Sequence, residues 1–338
     1  MERKIFNHNP ITLPKLKQVN VPGLRYYTTE SSKNKFVSIT SIISHNTKHK
    51  FVKWRKDVGE KEANRVTNRS TLRGTKTHSL IEAYVGNEEQ PLLESIFKPE
   101  EDEKIERLLN PYDRICALNN KLVIEIFKNS ENLLRVKISG NNKSANLFLD
   151  LIYDQFGEIL FEPGTNPDGY NKHILVQAEY QNFIDFSLES IDGATLYPET
   201  VESYKNLPFR LFDNLRPELN KIDNVLGIEI PLYSEYFGIA GTSDCIAEYN
   251  GILSIIDYKT SDYIKRKEWI LDYFVQAVAY RYMLKERTGL DAQQLVIFMA
   301  AENGEIKPFI ETDFTPYSKK LVQYINNYKN EKIKEVES

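Results

Sequence analysis

The stretch GTSDCIAEYNGILSIIDYKTS, residues 241–261, decides how this chain folds. Its Asn-Gly step at 250–251 is a hairpin signal between two runs rich in apolar and β-branched residues. The reading is two adjacent strands, about 238–248 and 252–258, preceded by a third at about 225–231 in VLGIEIP. Alternation along a strand puts Asp257 and Lys259 on one side. That pair alone leaves two readings open, a surface salt bridge or a metal ligand beside a catalytic amine. Asp244 changes the balance. A hairpin sets its two strands side by side, so carboxylates 13 positions apart, Asp244 and Asp257, can converge on one ion. Glu229, in the preceding strand, could join or support them. Oxygen ligands of this charge suit Mg²⁺ or Mn²⁺.

Working outward, WILDYFVQAVAYRYMLKERTG (269–289) reads as a long amphipathic helix stopped by Gly289. A strand, a turn and a short strand follow in QQLVIFMAAENGEIKPFI, and a helix in SKKLVQYINNYKNEKIKE. Upstream, FVSITSIIS (36–44) starts as a strand and turns helical, and WRKDVGEKEANRVTNRSTLRG (54–74) contains a helix with Trp54 on its apolar side. THSLIEAYVG (77–86) reads as a second helix, with Thr77 as its cap and Gly86 as its stop. Helices, three consecutive strands, a helix, a strand and a helix make an α/β arrangement around a mixed sheet.

Between the two halves the texture changes. KLVIEIF, LLRVKI, ANLFLDLIYD, EILFEP and HILVQAEYQNFIDFSLE are separated by turn signals such as NS (129–130) and GTNPDG (164–169). This predicts an inserted α/β or β-rich region over 96–204, dominated by strands. FRLFDNLRPELNKI, 209–222, predicts a further helix. The expected layout is a basic arm over 1–35, a core over 36–95 and 205–330, and the insertion between.

Composition is that of an ordinary folded chain: 338 residues, 41% hydrophobic and 27% charged. Two cysteines, Cys116 and Cys245, allow at most one bridge and read as buried thiols of a reducing compartment. No apolar run approaches the ~20 residues that cross a bilayer, and MERKIFNHNPITLPKLKQ has no apolar core of a secretion signal. The expectation is an intracellular protein with no membrane partner. The net charge of −4 hides a segregation. Residues 1–80 carry 17 Lys/Arg against 5 Asp/Glu, and the other 258 carry 27 against 43. A basic region of this kind is either a solvated arm or a patch that steers polyanions.

Four elements together resemble the PD-(D/E)XK nuclease superfamily, and within it the RecB-like exonucleases, including the mitochondrial genome-maintenance exonuclease group and phage relatives. Gly241 and Asp244 match its Gly-x-x-Asp step, and Asp257, Tyr258 and Lys259 its acidic-x-Lys step. FVQAVAYRY supplies a helical Gln276 with Tyr280 four residues on; LRGTKTHSLIEAY supplies Arg73, Gly74, Thr75, His78 and Glu82. Singly each is weak; in this order and in these settings they are specific. The match covers roughly 36–90 and 205–320, and no motif maps onto 91–204.

The resemblance implies a restriction-endonuclease-like core, an α/β fold with a mixed central sheet flanked by helices, plus a β-rich insertion. It implies His78, Asp244, Asp257 and the Tyr258 carbonyl as metal ligands, and Lys259 as catalytic together with the two aspartates. Gln276 is an active-site residue that contacts DNA or positions Lys259. By the same resemblance Arg73 and Thr75 would bind phosphate, Glu229 and Tyr280 would complete the substrate side, and Glu82 would orient His78. The implied activity is a Mg²⁺-dependent deoxyribonuclease, with Mn²⁺ as a substitute, acting as an exonuclease on single-stranded or free DNA ends in replication, repair or recombination. A structure-specific or flap endonuclease and a non-catalytic DNA-binding accessory protein are the alternatives. The insertion is a candidate surface for a replication or recombination protein. The expected location is the cytoplasm, that of the host if the chain is phage-encoded, ahead of the mitochondrion. Trp54 and Trp269 either stack on bases or pack in the core, and Lys265, Arg266 and Lys267 form either a solvated turn or a DNA-contacting loop.

Overall fold

Asn250 and Gly251 both take positive φ, +52° and +76°, the type I′ geometry that a two-residue hairpin requires. Tyr249 and Ile252 face each other across it. The register this turn imposes sets which residues of the two strands it joins stand opposite each other at the site. The computed structural model describes residues 3–21, 24–29, 34–127, 133–162 and 171–337. The chain forms two compact units, one from 1–91, 212–300 and 306–338, the other from 92–211 and 301–305.

The first unit opens with β1 (Leu16–Val21), β2 (Leu24–Thr29) and β3 (Lys35–Ser38), then α1 (Ile39–Val58) and α2 (Glu60–Val85). The second unit follows with α3 (Leu93–Ile96), α4 (Asp102–Glu106), β4 (Tyr112–Ala117), β5 (Leu122–Phe127), β6 (Leu133–Gly140), α5 (Asn142–Phe156), β7 (Ile159–Phe161), β8 (Asn171–Gln177), α6 (Tyr180–Ser190) and β9 (Ala194–Tyr197). The chain leaves it within α7 (Val201–Leu219). The first unit resumes with β10 (Ile222–Ser234), β11 (Ile239–Tyr249), β12 (Ile252–Ser261), α8 (Leu271–Thr288), β13 (Gln294–Ala301), β14 (Ile306–Glu311) and α9 (Thr315–Glu337).

In the first unit the strands run in the order β1-β2-β3-β11-β12-β13-β14, with β10 also on β11. β3 lies parallel to β11, through Val37–Ser38 and Ile239–Ala240, while β10 and β12 are antiparallel to it. The sheet is therefore mixed. Its core joins Ile39 and Ile42 of α1, Phe274, Val278 and Tyr280 of α8, and Tyr317, Leu321 and Ile325 of α9 to the strand side chains. α8 is buried on most of its circumference, which explains why its apolar residues are so dense. α2 lies against β12 and β10. Residues assigned to a basic arm take part in this unit: β1 and β2 pair antiparallel, and Phe6 is buried against Tyr84.

Three expectations differ from the structure. Thr77 does not start a second helix. One 26-residue helix runs from Glu60 to Val85, and the Thr77 hydroxyl, buried in mid-helix, donates to the Arg73 carbonyl at 2.9 Å. ANLFLDLIYD is not a strand but the body of α5, whose buried Ala145, Phe148 and Ile152 are spaced three and four apart. YQNFIDFSLE likewise belongs to α6. The region read as strand-dominated is an antiparallel six-stranded sheet, β7-β8-β6-β5-β4-β9, with α5 and α6 packed in its core. The turns NS and GTNPDG lie outside the described residues. Cys116 and Cys245 are free buried thiols, and burial pushes both up to about 12.

Candidate metal centre and active site

The register brings three carboxylates into one row. β10 pairs Ile228 with Cys245 and Ile230 with Ser243, which sets Glu229 opposite Asp244. β12 pairs Ile256 with Cys245 and the ladder stops there, which sets Asp257 opposite Asp244 on the other side. Both pairings are interrupted at Asp244 itself. Glu229 has φ +47°, a left-handed backbone uncommon for a side-chain-bearing residue. At the other flank, Asp244 Oδ2 accepts the Tyr258 N–H at 2.9 Å in place of a ladder bond. Residues directly opposite in a sheet share a face, and like charges there repel. Such a row is unfavourable unless a cation joins it.

His78 reaches this row from α2. Its Nδ1 lies 3.8 Å from Asp244 Oδ2 and its Nε2 2.8 Å from the Tyr258 carbonyl oxygen. Ligand atoms of His78, Glu229 and Asp244 all fall within 4.8 Å of one another. Glu229, which the strand reading allowed to join or support the aspartates and the resemblance set on the substrate side, stands in this cluster. With no ion, the Tyr258 carbonyl can only accept, so Nε2 carries the proton. A divalent ion bound here would be held by the His78 imidazole and the carboxylates of Glu229 and Asp244, with the Tyr258 carbonyl oxygen beside them. Asp257 is 1% exposed, and its Oδ1 meets no hydrogen-bond donor. An orphaned buried carboxylate oxygen beside a carboxylate–imidazole cluster fits a hard divalent cation.

Lys259 lies beside Asp257, Nζ to Oδ2 2.5 Å. Burial pulls the ammonium down, but the carboxylates of Asp257 and Asp244 outweigh it and hold Lys259 above its ordinary value. Burial, with Asp244 adding to it against Lys259, pushes Asp257 up to about 6. Glu229 is raised to about 7 by partial desolvation and by Asp244, Glu82 and Asp257. Glu82, one turn beyond His78, is raised by burial and by Asp244 and Glu88, against the pull of His78.

α8 supplies the other wall. Gln276 donates to the Tyr280 hydroxyl at 3.1 Å, and Lys259 Nζ lies 5.2 Å from the centre of the Tyr273 ring. The Tyr280 ring reaches β11 because position 241 is glycine: a Cβ there would stand 2.7 Å from Tyr280 Cε1 and 3.1 Å from Ile39 Cγ2. Arg73 is buried, and its guanidinium donates to Thr260 Oγ1 at 3.1 Å and Asp262 Oδ1 at 2.6 Å. Thr75 is exposed, three residues before His78 on the helix. Reasoning from sequence did not single out Tyr273 or Asp262. Tyr273 is recoverable from its spacing, three and seven residues before Gln276 and Tyr280 on one helical face.

Fold and site define an α/β protein with a carboxylate–imidazole cluster able to hold a divalent metal, backed by a lysine. The chain is also a distant homologue of mitochondrial genome maintenance exonuclease 1 of Homo sapiens, at 28% identity over 131 residues, 35% of this chain and 38% of that protein. It thus spans well under two thirds of that relative's length. No family model matches the chain. No helix among the described residues is long and apolar enough to cross a membrane.

Proposed function

We propose that the chain is a metal-dependent deoxyribonuclease that degrades DNA from single-stranded ends. The observation that carries this reading is the row Glu229–Asp244–Asp257 with His78 at its side and Lys259 against Asp257. His78, Glu229, Asp244 and Asp257 would hold Mg²⁺, or Mn²⁺ in its place. When bound, such an ion polarises the scissile phosphate and lowers the pKa of a coordinated water.

The remaining work falls to the chain itself. Lys259 keeps its proton at neutral pH because two carboxylates face it. It therefore offers a cation for the charge that builds on the phosphate. Asp257 holds that ammonium in place, and the Tyr273 ring lies beside it. Gln276, on the neighbouring helix, is held by its hydrogen bond to the buried Tyr280 hydroxyl. Resemblance to the superfamily implies a 5′-phosphate and a 3′-hydroxyl as products. Similarity to a protein named as an exonuclease supports attack at ends.

The test is degradation of end-labelled linear single-stranded DNA, with a circular single-stranded control, in Mg²⁺, Mn²⁺ or EDTA. We expect metal-dependent loss of the linear substrate alone, abolished by Lys259→Ala. Cleavage of the circle would replace the exonuclease with an endonuclease. Binding without metal-dependent cleavage would leave a DNA-binding accessory protein.

A further inference from the structure

The segment that leaves the candidate site has features the site itself does not use. Residues 262–269, DYIKRKEW, follow β12 directly and lead into α8. The segment is pinned along its length. Arg73 holds Asp262 at 2.6 Å, Ile264 packs on the core, the Lys265 N–H points at Met299 Sδ at 3.4 Å, and Ile270 is fully buried. Yet this fixed segment displays two large aromatic side chains to water: Tyr263 is 54% exposed and Trp269 59%. Arg266 lies over the Trp269 ring at 5.3 Å. The Lys265 ammonium donates to the Tyr273 hydroxyl at 3.1 Å. The same Tyr273 ring lies 5.2 Å from Lys259 Nζ. One ring thus joins the site lysine to the basic segment. Lys267 is paired with Glu311, and Glu268 is the one acid between Tyr263 and Trp269.

An isolated exposed aromatic needs no explanation. Two on a rigid segment, interleaved with Lys265 and Arg266 and continuous with a phosphate-directed lysine, match what single-stranded nucleic acid requires. Bases stack on aromatic faces, and cations track the backbone. Rigidity favours binding because no loop has to be ordered when the strand arrives. Paired bases in a duplex offer no open face, so such a platform selects unpaired DNA.

We infer that residues 263–269 form a stacking platform for the single strand next to the scissile phosphate, with a base on Trp269 and phosphates on Lys265 and Arg266. This rests on the nuclease reading above and adds the residues that select single-stranded substrate. Trp269 and Arg266 are positioning residues; neither touches the reacting atoms.

The chain has two tryptophans, Trp54 and Trp269, so Trp54→Phe leaves Trp269 as sole reporter. Its fluorescence is titrated in EDTA with oligo(dT), with the same backbone lacking bases, and with a blunt duplex, while anisotropy of a labelled oligo(dT) follows binding separately. Quenching by oligo(dT) alone is expected. Trp269→Ala should weaken oligo(dT) binding about five- to 150-fold, the range of ~1–3 kcal/mol per stacked base. Arg266→Ala should flatten the salt dependence by about one phosphate contact. Binding seen by anisotropy with no change in Trp269 fluorescence, and unchanged affinity in Trp269→Ala, would overturn the platform and leave the nuclease reading intact. Failure of the wild-type protein to bind any DNA at low salt would overturn both.

Discussion

Replacing Glu229 by Gln should stabilise the metal-free protein at pH 8 and remove much of what a metal adds. Glu229 is the member of the acidic row with the most solvent, and desolvation with Asp244, Glu82 and Asp257 raises it from 4.5 to about 7. The folded state therefore holds this proton more tightly than the unfolded chain. The stability this contributes is present in full below pH 4.5 and is lost as the pH rises through 7. A move of that size has a ceiling of ~3.4 kcal/mol. More than a third of Glu229 is exposed, and solvent screening brings the expected figure to about 1 kcal/mol. Gln carries no charge to lose, and its backbone strain at φ +47° matches that of Glu, so strain cancels from the comparison. Melting curves of both proteins in EDTA at pH 4.5 and pH 8 measure the difference. Glu229→Gln should gain about 1 kcal/mol on wild type between the two, or roughly 2–4 °C for a unit of this size. Mn²⁺ at a hundred times its Kd should then add ~2.7 kcal/mol to wild type at pH 8 and clearly less to the variant. A variant that tracks wild type across pH, or gains as much from Mn²⁺, would refute the shared acidic row.

Three further outcomes follow from neighbouring contacts. Lys259→Ala should lower cleavage ~10²–10³-fold. It also strands Asp257, 1% exposed, without its cation, a loss of ~3–5 kcal/mol for a broken buried pair. Because Asp257 is already raised to about 6, the melting point should fall far more at pH 8 than at pH 5, and an equal fall at both would count against the pairing. Gly241→Ala forces a methyl within 2.7 Å of the Tyr280 ring. It should cost ~1–3 kcal/mol, recovered in part by Tyr280→Leu in a double-mutant cycle; a wild-type melt would mean that helix and strand do not meet there. Tyr280→Phe removes the acceptor of the Gln276 amide, so single-turnover cleavage should slow while oligo(dT) affinity holds, and an unchanged rate would make the hydroxyl incidental.

What was legible in the sequence depended on how rigidly each residue is tied to a short-range signal. The Asn-Gly turn allows one register: with Tyr249 opposite Ile252, Asp244 must face Asp257. That half of the row was readable from residue types alone. Glu229 was not. Its strand joins β11 through a loop around Gly238, where one residue more or less flips every side chain, and its left-handed backbone is a local departure that no period reveals. α5 failed for another reason. ANLFLDLIYD is apolar at so many positions that periods of 2 and 3.6 both fit, and packing inside its own unit decides between them. His78 was found through resemblance, since a histidine on a polar helix announces nothing by itself. Arg73 was found the same way, but its guanidinium is committed to Thr260 and Asp262.

That commitment ties the parts of the site together. Arg73 and His78 stand on the same helix, five residues apart, and both reach the end of β12: His78 to the Tyr258 carbonyl, Arg73 to Thr260 and Asp262. α2 thus fixes the strand end on both sides of Lys259. A strand end that carries like charges in a row, with ladder bonds missing at Asp244, would otherwise splay. The long uninterrupted helix, with Thr77 turned inward to bond the Arg73 carbonyl, is the splint that holds it. The same contact fixes the first residue of the 262–269 segment. Held in that way, Lys259 and the segment that carries Trp269 are both tied to α2 through the end of β12.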